Sequence, residues 1–167
     1  VDLLEAFDAE GRAEVGEFAY QLQADQWPEP FRSRQQAFGE SLYRDVLGIA
    51  ADDATGRRGH HRRNYEFFGA PVALIVTVSR GPLLSALVDA GLFVQALMLA
   101  ARGSGLHTCP QASLIDFHPV LRRHAAVPAD QVIVYGIALG YADDSHRVSS
   151  LRSSREPITS FARFYDS

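Results

Sequence analysis

LLSALVDAGLFVQALMLAARGSGLHTCPQ, Leu83 to Gln111, decides the reading of this chain. Leu83 to Arg102 is long enough and apolar enough for a helix of five turns or more. It is apolar on nearly every side, which predicts a helix buried in a core or in a subunit interface. Gly103 to Gln111 comes directly after it, with two glycines, a proline and small polar residues. Gly103 and Gly105 are expected to end the helix in left-handed backbone, and Pro110 stiffens the loop. A loop of this composition suits a place where backbone approaches a flat ligand closely. A helix expected over Ser113–His124 would then present free N–H groups near Ala112 and Ser113. In that helix Ser113 is the N-cap and Asp116 sits at N3. On local physics alone, a plain helix–loop–helix connection is the simpler reading.

The composition sets the limits around this segment. A chain of 167 residues fits one domain with a real core. Apolar content of 47% and charged content of 22% argue against disorder. The net charge of −4 disfavours a dedicated nucleic-acid binder. All 16 basic residues are Arg. Schiff-base lysines, P-loop lysines and kinase lysines are therefore excluded, and a bound phosphate must be met by Arg, His or backbone N–H. A single cysteine, Cys109, excludes an internal disulfide and a cysteine-based metal site within one chain. No secretory pattern opens the sequence, so the expected compartment is the cytoplasm. Asp89, Ser85, Gln95 and Gly91 interrupt the apolar helix and argue against a membrane span.

Working outward, a helix is predicted over residues 1–22 and broken by Trp27-Pro-Glu-Pro30. A second is predicted over Phe31–Leu47, with Phe38, Leu42, Tyr43 and Val46 facing inward, and a third over Asp52–Phe67. Val72–Val78 and Gln131–Leu139 are continuous apolar, β-branched runs and read as buried strands. Two strands cannot form an independent sheet. Their partners are expected from a preceding segment, the tail or a second copy of the chain. Residues from Gly140 onward are polar and irregular as far as Pro157–Tyr165.

Arg57-Arg-Gly-His-His-Arg-Arg63 is the conspicuous charged cluster. It is either an anion-binding patch or the solvated face of a helix, and the second is the simpler reading. His60 and His61 are adjacent and point to different helix faces, which disfavours a metal site. Cys109 reads as packing rather than as a nucleophile.

Four stretches stand in order: Asn64-Tyr-Glu-Phe-Phe-Gly-Ala-Pro71, Asp89–Ala101 with Gly105-Leu-His-Thr-Cys-Pro-Gln111, Gly136-Ile-Ala-Leu-Gly-Tyr-Ala142, and Val148-Ser-Ser-Leu-Arg-Ser-Ser-Arg-Glu-Pro157. Together they resemble the nitroreductase family of FMN-dependent oxidoreductases. The resemblance implies a single domain over residues 1–167 with an α+β fold. A central mixed or antiparallel sheet flanked by helices would form an intertwined homodimer. It implies FMN at the dimer interface, hydride taken from NADH or NADPH, and a nitroaromatic, quinone or similar small molecule as electron acceptor. Backbone at Pro110, Gln111, Ala112 and Ser113 would face the flavin ring, and Arg155 with Arg152 would hold its phosphate. No catalytic side chain and no metal are implied, since the flavin carries the chemistry. Neither nucleic acid nor membrane is an expected partner.

Two departures from the family pattern stand out. Ser149 replaces the Asn of the late motif, which is expected to loosen that turn. The chain also starts at Val1 and lacks the family's early Arg-Arg-Ser-x-Arg and Pro-Ser-x-x-Asn-x-Gln-Pro-Trp stretches, so it reads as N-terminally incomplete relative to the family. The alternatives are a protein of the same fold that binds flavin without redox turnover, and an interaction domain built on residues 57–63.

Overall fold

The computed structural model describes residues 2–9, 27–81 and 83–165. Its contacts divide the chain into two compact units. One holds residues 1–23 with 53–142, the other residues 24–52 with 143–167.

The first unit is built on a three-stranded antiparallel sheet in the order β1-β3-β2. β1 (Val72–Ser79) and β3 (Gln131–Gly140) lie within a residue or so of the two predicted strands. They pair from Val72 opposite Leu139 to Ser79 opposite Gln131, with a bulge between Val76 and Thr77. The third strand, β2 (His107–Gln111), comes from the segment read as a loop. It pairs along β3 from His107 opposite Gly140 to Gln111 opposite Gly136. β3 therefore lies central, and Val132, Ile133, Val134, Ile137 and Ala138 are buried. β1 is an edge strand and only half-buried, not the fully buried strand its composition suggests.

α4 (Leu83–Gly103) packs across β1 and β2. Of its described side chains, Ala90 and Val94 alone are buried. They are four residues apart and share the face toward the sheet. On the opposite face Leu84, Val88 and Leu92 form an exposed stripe, continued by Phe93 and Leu99. Of the two expected settings, a core or a subunit interface, burial in this chain's own core is thus corrected. A sheet of three strands covers one strip of a helix that is apolar all round.

Beneath the sheet's other elements lies an aromatic core. α1 (Asp2–Asp8) contributes Phe7, which stacks on Tyr65 at 4.7 Å, and Tyr65 meets Phe117 edge-on at 4.9 Å. Leu114, Leu121 and Ile133 complete this cluster. The predicted first helix is seen only over Asp2–Asp8, and residues 10–26 lie outside those described. The third predicted helix is α3 (Ala54–Arg62), capped by the Asp53 carboxylate accepting from Gly56 N–H. A 3-10 segment, Arg63–Gly69, continues it.

In the second unit, α2 (Phe31–Glu40) passes into a π-helical turn, Ser41–Val46. Phe38 is exposed, against expectation, while Leu42, Tyr43 and Val46 are half-buried. Arg34 Nη2 donates to Glu156 Oε1 at 3.0 Å and ties the helix to the tail. The tail carries two 3-10 turns, Arg147–Ser150 and Ile158–Ser160, joined by extended chain.

Candidate active site

α4 ends in a motif that its sequence encodes. Gly105 is left-handed, at φ +77°, and its N–H bonds the Arg102 carbonyl at 3.1 Å. Leu106 N–H reaches back to the Ala101 carbonyl at 2.9 Å. Those two bonds define a Schellman cap. Gly103 stays helical, so the left-handed role belongs to Gly105 alone. The cap turns the chain sharply into β2, which runs along the sheet's edge. A proline at position 110 is tolerated there because an edge strand need not donate on its outer side.

After Gln111 the backbone enters a 3-10 turn, Ala112–Phe117, and then α5 (His118–His124). The predicted single helix from Ser113 is therefore in two pieces and begins one residue earlier. Ser113 is not its N-cap. The residue at the cap position is Gln111, which makes no capping bond with its side chain. The hydroxyl of Ser113 is turned inward, where its Oγ is buried without a hydrogen-bond partner. The 3-10 turn is pulled into the core by Leu114, Ile115 and Phe117, and that orientation carries Ser113 with it.

Four predicted residues, Pro110 to Ser113, thus form one continuous backbone edge where β2 meets the 3-10 turn. Pro110 is exposed, Ala112 and Ser113 are half-buried, and Gln111 is 3% exposed. Gln111 Nε2 donates to the Asn64 carbonyl at 2.8 Å and lies 3.3 Å from Asn64 Oδ1. Its own Oε1 is buried without a partner. Two residues of this site, Asn64 and Gly136, have no individual role in the sequence pattern. Asn64 opens a family motif but is not marked there by its chemistry. Gly136, opposite Gln111, interrupts an apolar strand, which is itself a sign of close approach.

Arg152 and Arg155 lie in the second unit and are exposed. Arg152 Nη1 donates to the carbonyls of Ser149 and Leu151 at 2.8 and 2.9 Å. Arg155 Nη1 donates to Ser153 Oγ at 2.5 Å and to the Ser154 carbonyl at 3.0 Å. These acceptors are neutral, so the two guanidinium charges are not cancelled by these bonds. Ser149, which stands where the family motif has Asn, donates its Oγ hydrogen to the Asp143 carbonyl at 2.7 Å.

The basic cluster is largely committed elsewhere. Arg58 Nη2 donates to the Phe7 carbonyl at 3.0 Å, with its guanidinium 4.4 Å from the Phe7 ring. Arg62 pairs with Asp8 at 3.0 Å and with Glu66 at 2.7 Å. Both arginines thereby fasten α1 to α3. Among the described residues no group of three or more His, Cys, Asp or Glu side chains could hold a metal ion. Cys109 is exposed as a residue, yet the protein atoms around its sulfur desolvate the thiolate and push the thiol pKa up. A raised pKa makes a poor nucleophile at neutral pH.

The sequence profile of the nitroreductase family matches residues 6–141 of this chain. The chain belongs to the nitroreductase family. A 4-nitrobenzoate reductase of Nocardioides sp. (strain LMS-CY) is 49% identical over 162 residues, which are 97% of this chain and 65% of that nitroreductase. A chloronitrobenzene nitroreductase of Comamonas testosteroni is 41% identical over 136 residues, 81% of this chain and 60% of its own length. The chain therefore spans less than two thirds of either relative. Among solved structures, the FMN-dependent nitroreductase NfnB from Mycobacterium smegmatis, in complex with NADPH, superposes with a TM-score of 0.89 at 29% identity. That match covers 98% of this chain and 71% of NfnB. The α+β architecture is the nitroreductase fold.

Proposed function

We propose that the protein is an FMN-dependent oxidoreductase that uses NADPH or NADH to reduce nitroaromatic compounds. The observation that carries this reading is the backbone edge Pro110–Ser113, set in a chain 49% identical to a 4-nitrobenzoate reductase. Bound FMN would supply the hydride chemistry, passing two electrons from the nicotinamide to a small acceptor.

The residues present fit that cofactor. A flat ring requires an approach free of large side chains, and Pro110, Ala112 and Ser113 give one. Two polar atoms at the same edge, Gln111 Oε1 and Ser113 Oγ, are buried without a partner, a cost of about 1–3 kcal/mol each in a folded chain. Such costs concentrate at functional sites. For the phosphate we propose Arg152 and Arg155, whose forked guanidinium groups match its oxygens. With no lysine in the chain, arginine is the available long cation. No side chain need act as acid or base, and Cys109 has no role in the proposed chemistry.

A homodimer belongs to the same proposal. Leu84, at 83% exposure, Val88 and Leu92, at 67%, line the outer face of α4 beside Phe93 and Leu99. Burial against a second copy would remove this stripe from water. α4 is long and apolar enough to cross a membrane. The sheet packed along it and the family fold support the dimer instead. A cytoplasmic setting, where nicotinamide cofactors are reduced, fits the activity.

The test is steady-state turnover by the protein purified from its intact gene. NADPH oxidation that depends on added FMN and on 4-nitrobenzoate supports the reading. Tight flavin binding with no such turnover would favour a flavin-binding protein without redox activity.

A further inference from the structure

Gln111 is a buried amide, and its hydrogen bonds orient it. Its Nε2 faces two oxygens of Asn64, the carbonyl at 2.8 Å and Oδ1 at 3.3 Å. Asn64 is fixed in turn, because its Nδ2 donates to the His61 carbonyl at 2.8 Å. A chain of bonds thus runs from the last turn of α3 to the last residue of β2.

The surroundings of this clasp are tightly specified. A Cβ on Gly136, the residue opposite Gln111, would lie 1.9 Å from Leu114 Cδ1 and 3.4 Å from Phe67 Cε1. Phe67 and Phe68 both sit in left-handed backbone, at φ 50° and 54°, and Gly69 comes next at 78°. Two consecutive phenylalanines in that region are strained, and such strain persists only where the surroundings over-determine it. The 3-10 segment that carries the Asn64 carbonyl packs against β3 and the 3-10 turn after β2.

Burying this amide with Oε1 unpartnered costs stability, a cost that its bonds to Asn64 offset only in part. What the amide adds is a fixed distance between Asn64 and the start of the Pro110–Ser113 edge. We propose that Gln111 is a positioning residue. Its clasp on Asn64 holds that edge in the attitude that meets the flavin ring. The proposal rests on the assignment of FMN to this site.

Gln111→Met keeps the side chain's length and volume but cannot donate. FMN affinity is measured by quenching of flavin fluorescence, together with the visible spectrum of the bound flavin and circular dichroism of the protein. The wild-type protein is expected to bind FMN. Gln111→Met is expected to keep the wild-type fold, bind FMN roughly 10- to 100-fold more weakly, and return the bound spectrum toward that of free FMN. Wild-type affinity and spectrum in a folded Gln111→Met protein overturn the proposal. If that variant does not fold, Asn64→Ala decides by the same measurements. It removes Oδ1 and the tie to His61 but leaves the backbone acceptor, so a smaller weakening with a shifted spectrum is expected, and an unchanged cofactor site overturns the proposal. A wild-type protein that ignores FMN overturns the functional reading and this inference with it.

Discussion

At Gly136 the fold has room for a hydrogen atom and no more. The Leu114 methyl that would meet an added Cβ belongs to a side chain with no exposed surface, so it cannot swing aside. Gly136→Ala is expected to destabilise the protein by about 1–3 kcal/mol through overpacking, read as a lower urea midpoint. An unchanged midpoint would mean that Leu114 yields at this junction. Asp8 makes a different prediction. Its hydrogen bond from Arg62 holds the carboxyl pKa below the usual value. A carboxylate with a depressed folded-state pKa adds stability above its unfolded pKa and loses that share as the pH falls through the folded one. The urea midpoint should therefore drop more between neutral pH and acid in the wild type than in Asp8→Asn, and equal drops would contradict the pairing. Residue identities in the sequence single out the segment Pro110–Ser113 but not the contact that Gln111 makes with Asn64. Its partner lies 47 residues away, and nothing local to either residue announces the contact.

Elements were legible where composition alone decides them. β3 is apolar along most of its length because both of its faces are covered, and its boundaries matched to within a residue. β2 was hidden because His107-Thr-Cys-Pro-Gln111 has no strand pattern. Pairing with β3 makes it a strand, a case of tertiary context overriding local preference. That hidden strand also answers where the sheet finds its third member. α4 shows the opposite limit. An all-round apolar helix was visible in the sequence, but periodicity cannot say which surface covers which face. The stripe at Leu84, Val88 and Leu92 gives the prediction at this scale. Light scattering should report a dimer, and Leu92→Asp should shift it toward monomer by placing two like charges at the seam. A monomeric wild type would contradict the proposed dimer, and a dimer indifferent to Leu92→Asp would place its interface elsewhere.

For the whole molecule, family membership was readable because four motifs recur in order along the chain, and the profile match over residues 6–141 agrees. The fold comes with it, as does the expectation that the cofactor does the chemistry and the protein provides position. The acceptor's identity is less legible, since specificity depends on surfaces that no single motif encodes. The central claim is that electrons pass from a nicotinamide through FMN to a nitro group. Its most direct measurement tracks the flavin band of the FMN-loaded protein without oxygen. NADPH should bleach the band, and 4-nitrobenzoate added afterward should restore it. A band that NADPH leaves untouched, or that stays bleached after the nitro compound is added, would contradict the account.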